Sequence, residues 1–224
     1  MKKKQVQRLV AFSLATMMTL QGLSVNASGQ VQVRTDSNTQ MSSDKEVVYV
    51  NTYDTSKRVH DFDANWKFYL GDADGAEAVN FDDSAWRTVS VPHDYSIEQE
   101  YTQSGEAESG YLPGGTGWYR KHFTLTEDMK DKEIRLDFGG VYMNATVWVN
   151  GTQLGTHPYG YTPFSFDITD YVKAGEENVI TVKVDHQTPS SRWYSGSGIY
   201  RSVDLTVMDK VHVDLNGTKI ATPN

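Results

Sequence analysis

Hydrophobic and polar residues alternate with a period of two in three segments of the chain, 133–138, 180–185 and 199–208. In 180–185, for example, one isoleucine and two valines take alternate positions, separated by threonine, lysine and aspartate. This period puts the apolar side chains on one face of a β-strand and the polar ones on the other. No segment combines capping residues with the sustained 3.6-residue period of an α-helix. The pattern therefore predicts an all-β protein.

Short apolar runs separated by turn residues extend this prediction along the chain. Asn150-Gly151 follows VWV and precedes TQLGTH, which is a strong β-hairpin signal, and Asn216-Gly217 predicts a second hairpin. Residues 82–86 and 170–173 are each predicted to form one helical turn at most. Many short strands with such turns indicate a jelly-roll β-sandwich. The predicted strands are 46–50, 66–70, 87–91, 118–126, 133–138, 145–149, 164–168, 178–185 and 199–208.

The first 27 residues have the pattern of a secretory signal peptide. A basic start, MKKK with Arg8, precedes an uncharged apolar stretch and a small-x-small site at 25–27. The alternative is an uncleaved membrane anchor, but the apolar run is short and interrupted for a membrane span. Residues 28–45 are polar and predict a disordered linker. The β-sandwich domain is predicted over 46–210, and 211–224 as the possible start of a following module.

Charge and composition narrow the classes of function. The 224 residues carry 21 basic and 29 acidic side chains, a net charge of −8. Loss of residues 1–27 removes four basic side chains and no acidic ones, which leaves 17 against 29, or −12. Such an acidic chain argues against a nucleic-acid partner. The absence of cysteine excludes disulfides, thiolate metal sites and cysteine nucleophiles. The signal-peptide pattern predicts a secreted or cell-surface protein, and an oxidising destination without cysteine favours a Gram-positive bacterium as its source.

The usual catalytic and cofactor motifs are missing from the sequence. The six histidines do not have metal-ligand spacing, and the glycine-rich stretches 112–117 and 196–198 do not match phosphate or dinucleotide loops. No serine lies in a strand-to-helix elbow. The acidic stretches 61–63 and 72–75 have oxygen ligands that could hold Ca²⁺, which leaves calcium binding as an alternative, but neither completes a known calcium loop. We therefore assign no cofactor, no metal ligand and no nucleophile.

Aromatic residues are the remaining candidates for chemistry, because their rings pack against the apolar faces of sugars while Asp, Asn and Arg bind the hydroxyls. Trp66, Trp86, Trp118 and Trp148 lie in or beside predicted strands, so we place them in the core or at its rim. Trp193 instead lies in a polar, glycine-rich loop, next to Arg192 and Tyr194. Function concentrates in loops held by rigid strands, so this loop is a candidate ligand site.

Five segments resemble, in the same order, the N-terminal sugar-binding domain of glycoside hydrolase family 2. The resemblance covers about residues 58–224 and, within the family, is greatest to large secreted bacterial β-galactosidases. The segments are 91–100 (VPHDYSIEQE), 116–125 (TGWYRKHFTL), 135–169 (containing FGGVYMNATVWVNG), 176–187 (EENVITVKVDHQ) and 191–205 (SRWYSGSGIYRSVDL).

This resemblance implies a galactose-binding-domain-like jelly roll that packs against an immunoglobulin-like domain and a TIM barrel. It also implies that the barrel holds the two glutamates of a retaining hydrolysis mechanism. The chain ends at Asn224, before either later domain, so we expect no catalytic residue in it. Glutamates 98, 100, 106 and 108 are interpreted as a solvated acidic loop.

The resemblance further implies that loops of this domain reach the galactose subsite. Matched by motif, the substrate-binding candidates are Arg192, Trp193 and Asp94. Family members have an aspartate near the position of Ser191, and since this chain has a serine there, Arg192 becomes the stronger candidate for the sugar contact. Asp94 has a competing role, because aspartate also favours turns. Three hypotheses follow: a non-catalytic fragment of a secreted β-galactosidase, a free-standing carbohydrate-binding module, or a structural cell-surface domain. The expected partners are a β-galactoside or other carbohydrate and the missing domains.

Overall fold

The computed structural model describes residues 23–25, 31–33, 53 and 56–222. The predicted strand 46–50 lies outside these residues, as does most of the predicted signal peptide and linker. The chain divides into two units, residues 1–50 and 51–224. In the first unit, strand β1 (Leu23–Val25) pairs antiparallel with β2 (Val31–Val33), which lies within the predicted linker. None of the helices in the described part of the chain has the length and apolar character needed to cross a bilayer.

The second unit is built almost entirely of strands. Two single 3₁₀ turns, Glu127–Met129 and Thr169–Tyr171, are the helical segments of its described residues. The predicted all-β class is therefore confirmed. The strands are β3 (Val59–Asp61), β4 (Trp66–Leu70), β5 (Arg87–Val89), β6 (Gly115–Thr124), β7 (Glu133–Phe138), β8 (Ala145–Val149), β9 (Thr152–His157), β10 (Phe164–Asp167), β11 (Glu177–His186) and β12 (Val203–Met208).

These strands form two antiparallel sheets that enclose one core. The larger sheet has the order β5-β4-β6-β11-β8-β9, and the smaller one the order β10-β7-β12-β3. At the centre of the larger sheet, β6 and β11 pair over ten residues each. Apolar side chains of both sheets, such as Leu136 and Leu205 from the smaller and Val147 and Val182 from the larger, are fully buried in one cluster. The predicted β-sandwich is confirmed.

Three sequence predictions are corrected by the strands. The short strand β3 lies outside the predicted set because three residues are too few to show alternation. Residues 199–202 precede β12 as irregular chain. At Asn216-Gly217 the amide of Gly217 donates to the Asp214 carbonyl at 2.9 Å, so a turn forms, but no strands flank it among the described residues. Val211 is 93% exposed, so the apolar residues before this turn have no core to pack against.

A buried arginine fixes the segment 71–86 to the outer face of the larger sheet. The Arg120 guanidinium, on β6, is completely buried. Its Nε donates to Asp83 Oδ2 at 2.7 Å, and its Nη1 donates to Thr181 Oγ1 and to carbonyls of the segment, Ala76 and Ala78. Since this segment covers Thr181, that polar residue of β11 is buried although the alternation places it on the outer face.

Asp83 is shared between two basic side chains. The His122 imidazole lies beside the Asp83 carboxylate, with Nε2 2.9 Å from Oδ2. Burial by itself would raise the pKa of Asp83, but the hydrogen bonds from His122 and Arg120 outweigh it and lower this pKa. The hydrogen bond to Asp83 in turn raises the pKa of His122 above its ordinary value. The carboxylate is therefore ionised and holds the Arg120 guanidinium and the His122 imidazole in place.

Arg120→Met is expected to lower the free energy of unfolding by about 3–5 kcal/mol, because it removes one of the two basic partners of Asp83 and leaves the carbonyls of the covering segment without their donor. Urea unfolding followed by tryptophan fluorescence measures this. The matched control is Lys132→Met, since Lys132 pairs with Asp209 at the surface, and it should cost no more than about 1 kcal/mol. Equal losses in the two variants would contradict a stabilising role for the buried pair.

Candidate functional site

Three segments are joined by backbone hydrogen bonds at one end of the sandwich. The amide of His93 donates to the Ile199 carbonyl at 2.7 Å, and the amide of Tyr95 to the Ser197 carbonyl at 2.9 Å. Tyr142 and Gly198 exchange two hydrogen bonds of 2.9 Å. The SGSG motif is therefore held between the loop after β5 and the loop after β7.

Gly198 is required where these segments meet. Its φ of +118° lies in the region that favours glycine. A Cβ atom there would overlap the Tyr119 hydroxyl oxygen and would lie 2.8 Å from the carbonyl oxygen of His93. The close approach of the three segments thus explains the second glycine of the motif.

Asp94 connects two of the loops. Its Oδ1 accepts hydrogen bonds from the amides of Ser96 at 2.9 Å and Ser197 at 2.8 Å, and its Oδ2 accepts one from the Tyr194 hydroxyl. The pKa of Tyr194 is raised well above its usual range, first by burial and, to a smaller extent, by this hydrogen bond to Asp94. The turn-forming role weighed for Asp94 is present in the structure, and its predicted contact with a sugar stays a prediction.

His186 is the centre of a buried polar network in the same region. Its Nδ1 lies in hydrogen-bonding contact with the Ser197 hydroxyl, and its Nε2 lies 2.8 Å from Ser190 Oγ. The Tyr142 hydroxyl also donates to Ser190 Oγ, at 3.2 Å. Burial lowers the pKa of His186, so that the imidazole is neutral near pH 7. A hydroxyl, that of Ser197, occupies the position that a carboxylate has in a Ser-His-Asp triad, so the network orients loops rather than activating a nucleophile.

Trp193 is exposed at the rim of this region. It is 60% exposed, and its indole Nε1 donates to the Tyr161 hydroxyl at 2.9 Å. The Tyr161 ring lies 5.6 Å from that of Tyr159, which is itself 56% exposed. Three aromatic side chains thus form a continuous surface, which we call the aromatic loop surface.

Arg192 lies next to this surface. It is exposed and forms no hydrogen bond or ion pair with any residue that the structure describes. An exposed guanidinium of this kind is available to a ligand oxygen. Arg192 and Trp193 are neighbours in the chain, and Asp94 reaches the same loop through Tyr194. The structure therefore brings the three predicted residues to one end of the sandwich.

Sequence reasoning missed Tyr159, Tyr161 and His186. The two tyrosines lie in a segment, PYGYTPF, whose proximity to Trp193 depends on the fold. The spacing of the histidines in the sequence does not distinguish His186 from the other five, and in the structure it is buried in a polar network. Within residues 56–222, no three His, Asp or Glu side chains are grouped in a way that would hold a metal ion.

A protein-family model matches most of the chain. It is described as "Glycosyl hydrolases family 2, sugar binding domain", and it matches residues 59–209. These residues include every strand of the two sheets.

Two of the curated relatives are named for different enzyme activities. The chain is 47% identical, over 165 residues, to the β-galactosidase BoGH2A of Bacteroides ovatus, a match that covers 72% of this chain and 19% of that protein. It is 43% identical, over 166 residues, to a putative β-glucuronidase of Formosa agariphila, with 73% and 16% covered. The chain thus spans about a fifth or less of the length of these relatives.

Solved structures agree in fold. A glycosyl hydrolase family 2 member from Bacteroides cellulosilyticus superposes with a TM-score of 0.67 at 45% identity, over 68% of this chain and 21% of that one. A β-glucuronidase from the same family superposes with a TM-score of 0.64 at 34% identity, over 70% and 18%. Both similarities again concern a fraction of a longer protein.

Asp94→Ala should lower the free energy of unfolding by about 2–4 kcal/mol, since it removes the acceptor of the Ser96 and Ser197 amides. Asp94→Asn keeps a carbonyl acceptor and should lose less than half as much. Thermal and urea unfolding of both variants measure the difference. Equal losses in Asp94→Ala and Asp94→Asn would show that Asp94 does not stabilise the fold through its two hydrogen bonds from backbone amides.

His186 makes stability depend on pH in a direction that can be stated. Its pKa is about 6.5 when unfolded and lower when folded, so below that value the unfolded chain binds more protons. The contribution of His186 to the free energy of unfolding is therefore fully present above pH 6.5, and it is lost as the pH falls towards the pKa of the folded state. The difference in unfolding free energy between the parent and His186→Gln should shrink from pH 7.5 to pH 5. A difference that stays constant with pH would exclude this titration.

Proposed function

The chain belongs to glycoside hydrolase family 2, whose sugar-binding domain it contains, and we propose that it is the non-catalytic N-terminal part of a secreted β-galactosidase. The observation that carries the proposal is the aromatic loop surface beside Arg192. It offers flat rings for the apolar face of a pyranose, and for ligand oxygens a guanidinium that has no partner among the described residues. Secretion is supported by the signal-peptide pattern of residues 1–27.

Hydrolysis would belong to other domains. A retaining glycosidase needs two carboxyl groups about 5–5.5 Å apart, on either side of the glycosidic bond. The aromatic loop surface contains no carboxylate of its own, and the nearby Asp94 is occupied by backbone amides and Tyr194. The domain would thus bind and orient the sugar for a barrel supplied elsewhere.

A second candidate function is that of a β-glucuronidase. The Formosa agariphila relative has that name. Arg192 also favours it physically, because a guanidinium binds a carboxylate in a bidentate manner, and a glucuronide carries one. Galactoside remains the first choice because the Bacteroides ovatus relative, at 47% identity, is named a β-galactosidase.

Calorimetric titration of the chain with galactose, lactose and glucuronic acid tests these proposals. We expect a dissociation constant of about 1 mM for lactose, equivalent to about −4.1 kcal/mol. Arg192→Ala combined with Trp193→Ala should weaken this binding at least about tenfold, which is about 1.4 kcal/mol. Trp193→Phe is the matched control, since it keeps an aromatic ring and should retain most of the affinity.

The outcomes separate the alternatives. Preference for glucuronic acid, lost in Arg192→Ala alone, would replace the galactoside proposal with the glucuronide one. No binding at the loop by the folded chain would overturn its role as a sugar-binding site of the isolated domain. Turnover of a nitrophenyl β-galactoside by the chain alone would contradict the non-catalytic assignment.

A further inference from the structure

A second aromatic surface lies on the outer face of the larger sheet. The strand register aligns Trp118, Lys183, Thr146 and Thr156 in one row across β6, β11, β8 and β9. In the neighbouring row, Trp148 of β8 is opposite Gln153 of β9. These side chains belong to the polar positions of the alternation, so they point away from the core of the sandwich.

The segment 71–86 covers only part of this outer face. Between residues 74–77 of the segment and the open rows, a groove of about 480 Å³ remains, which is within the range of small-molecule sites. Because β9 is the edge strand, the sheet ends at one side of this groove. The residues that line it are Asp74, Gly75, Glu77, Trp118, Thr146, Trp148, Gln153, Thr156 and Lys183.

Two stacked tryptophans form the apolar part of the groove. The rings of Trp118 and Trp148 lie 5.8 Å apart with an interplanar angle of 23°. Lys183 Nζ lies 5.4 Å from the centre of the Trp118 ring. Trp118 is only 5% exposed, whereas Trp148 is half-buried. The buried ring therefore fixes the plane of the more exposed one, so that a flat apolar face is pre-oriented for a ligand.

Trp118 has a further property. Its Nε1 is buried and has no hydrogen-bond partner among the described residues. Buried indole N–H groups normally find an acceptor, and an unpaired one costs free energy. Because this atom has less than 1 Å² of exposed surface, a ligand acceptor in the groove would reach it only after a shift of the Trp118 ring.

We propose that this groove is a second carbohydrate-binding site, separate from the aromatic loop surface, and that it takes a neutral saccharide. The lining supplies acceptors in Asp74 and Glu77, a donor in Lys183, and groups of both kinds in Gln153 and the threonines. A polyhydroxylated ligand uses donors and acceptors together, whereas a phosphate or sulfate would need donors only. With two carboxylates and one ammonium group, the groove disfavours an anionic sugar.

The choice of a saccharide over other neutral polar ligands rests on the proposed function. The location does not, since no residue of the groove belongs to the three loops that form the candidate site. The two proposals can therefore fail independently. A variant of one surface leaves the other surface intact.

The test is titration of the full chain with β-1,4-linked galactotetraose, in which binding is measured both by calorimetry and by the change in tryptophan fluorescence. In a chain that already carries Arg192→Ala and Trp193→Ala, so that the loop surface does not bind, we expect Trp148→Ala to weaken binding at least about tenfold. Trp148→Phe, which keeps a flat ring, should weaken it no more than about threefold in the same background. The variant Arg192→Ala combined with Trp193→Ala should still bind through the groove. Tetragalacturonate, the charged counterpart, should bind the groove more weakly than galactotetraose does.

Unchanged affinity in a folded Trp148→Ala variant would overturn the proposal, as would binding that is lost only in the loop variant. If Trp148→Ala fails to fold, Gln153→Ala and Lys183→Met replace it. Each removes a polar group that lines the groove, and each should weaken the binding of the tetrasaccharide. Sedimentation of the chain in the presence and absence of the ligand tests a different occupant. Self-association that protects Trp148 from quenching and excludes the tetrasaccharide would also overturn the proposal.

Discussion

The burial of one guanidinium determines how the larger sheet is covered. Arg120 lies on β6, near the middle of that sheet, and its charge is removed from water completely. A buried charge is tolerated only when it is paired and its donors are satisfied, so Asp83 and the carbonyls of 76–79 must lie over this strand. The segment 71–86 is consequently held against the sheet without any regular structure of its own. The groove beside Trp148 adjoins residues 74–77 of that segment.

Much of the sandwich could be predicted from alternation alone. Strands β7 and β8 coincide with their predicted bounds, because both have a core-facing row of apolar side chains and an outer row that remains partly exposed. Strand β6 shows where alternation fails as a guide to burial. Its sequence WYRKHF has two adjacent cations, and both Arg120 and Lys121 are almost completely buried. Pairing across 37 residues with Asp83 explains the first, and no local pattern contains that information.

Lys121 shows the same limit on the opposite face. Its ammonium group donates to the Ala64 carbonyl and lies 4.3 Å from the centre of the Phe62 ring. Burial lowers its pKa to about 8, against the opposing effect of the nearby Asp61 and Asp63.

For the candidate site, Trp193 could be singled out because it interrupts a polar loop, whereas Tyr159 and Tyr161 could not. Their relevance comes from a hydrogen bond and ring contacts between segments about 30 residues apart.

The two aromatic surfaces differ in their electrostatics, and this difference is the basis on which we propose different ligands for them. At the loop surface, Arg192 is a cation without a partner among the described residues, so oxygen-rich and even anionic sugars are favoured there. In the groove, Lys183 is outnumbered by Asp74 and Glu77, so a neutral sugar is favoured. The loop surface is formed by two loops, the one before β12 that carries Trp193 and the one between β9 and β10 that carries Tyr159 and Tyr161. The groove, in contrast, is formed largely by strands in register. Local opening of the loops would therefore disturb the first surface, while the second would persist as long as the larger sheet is paired.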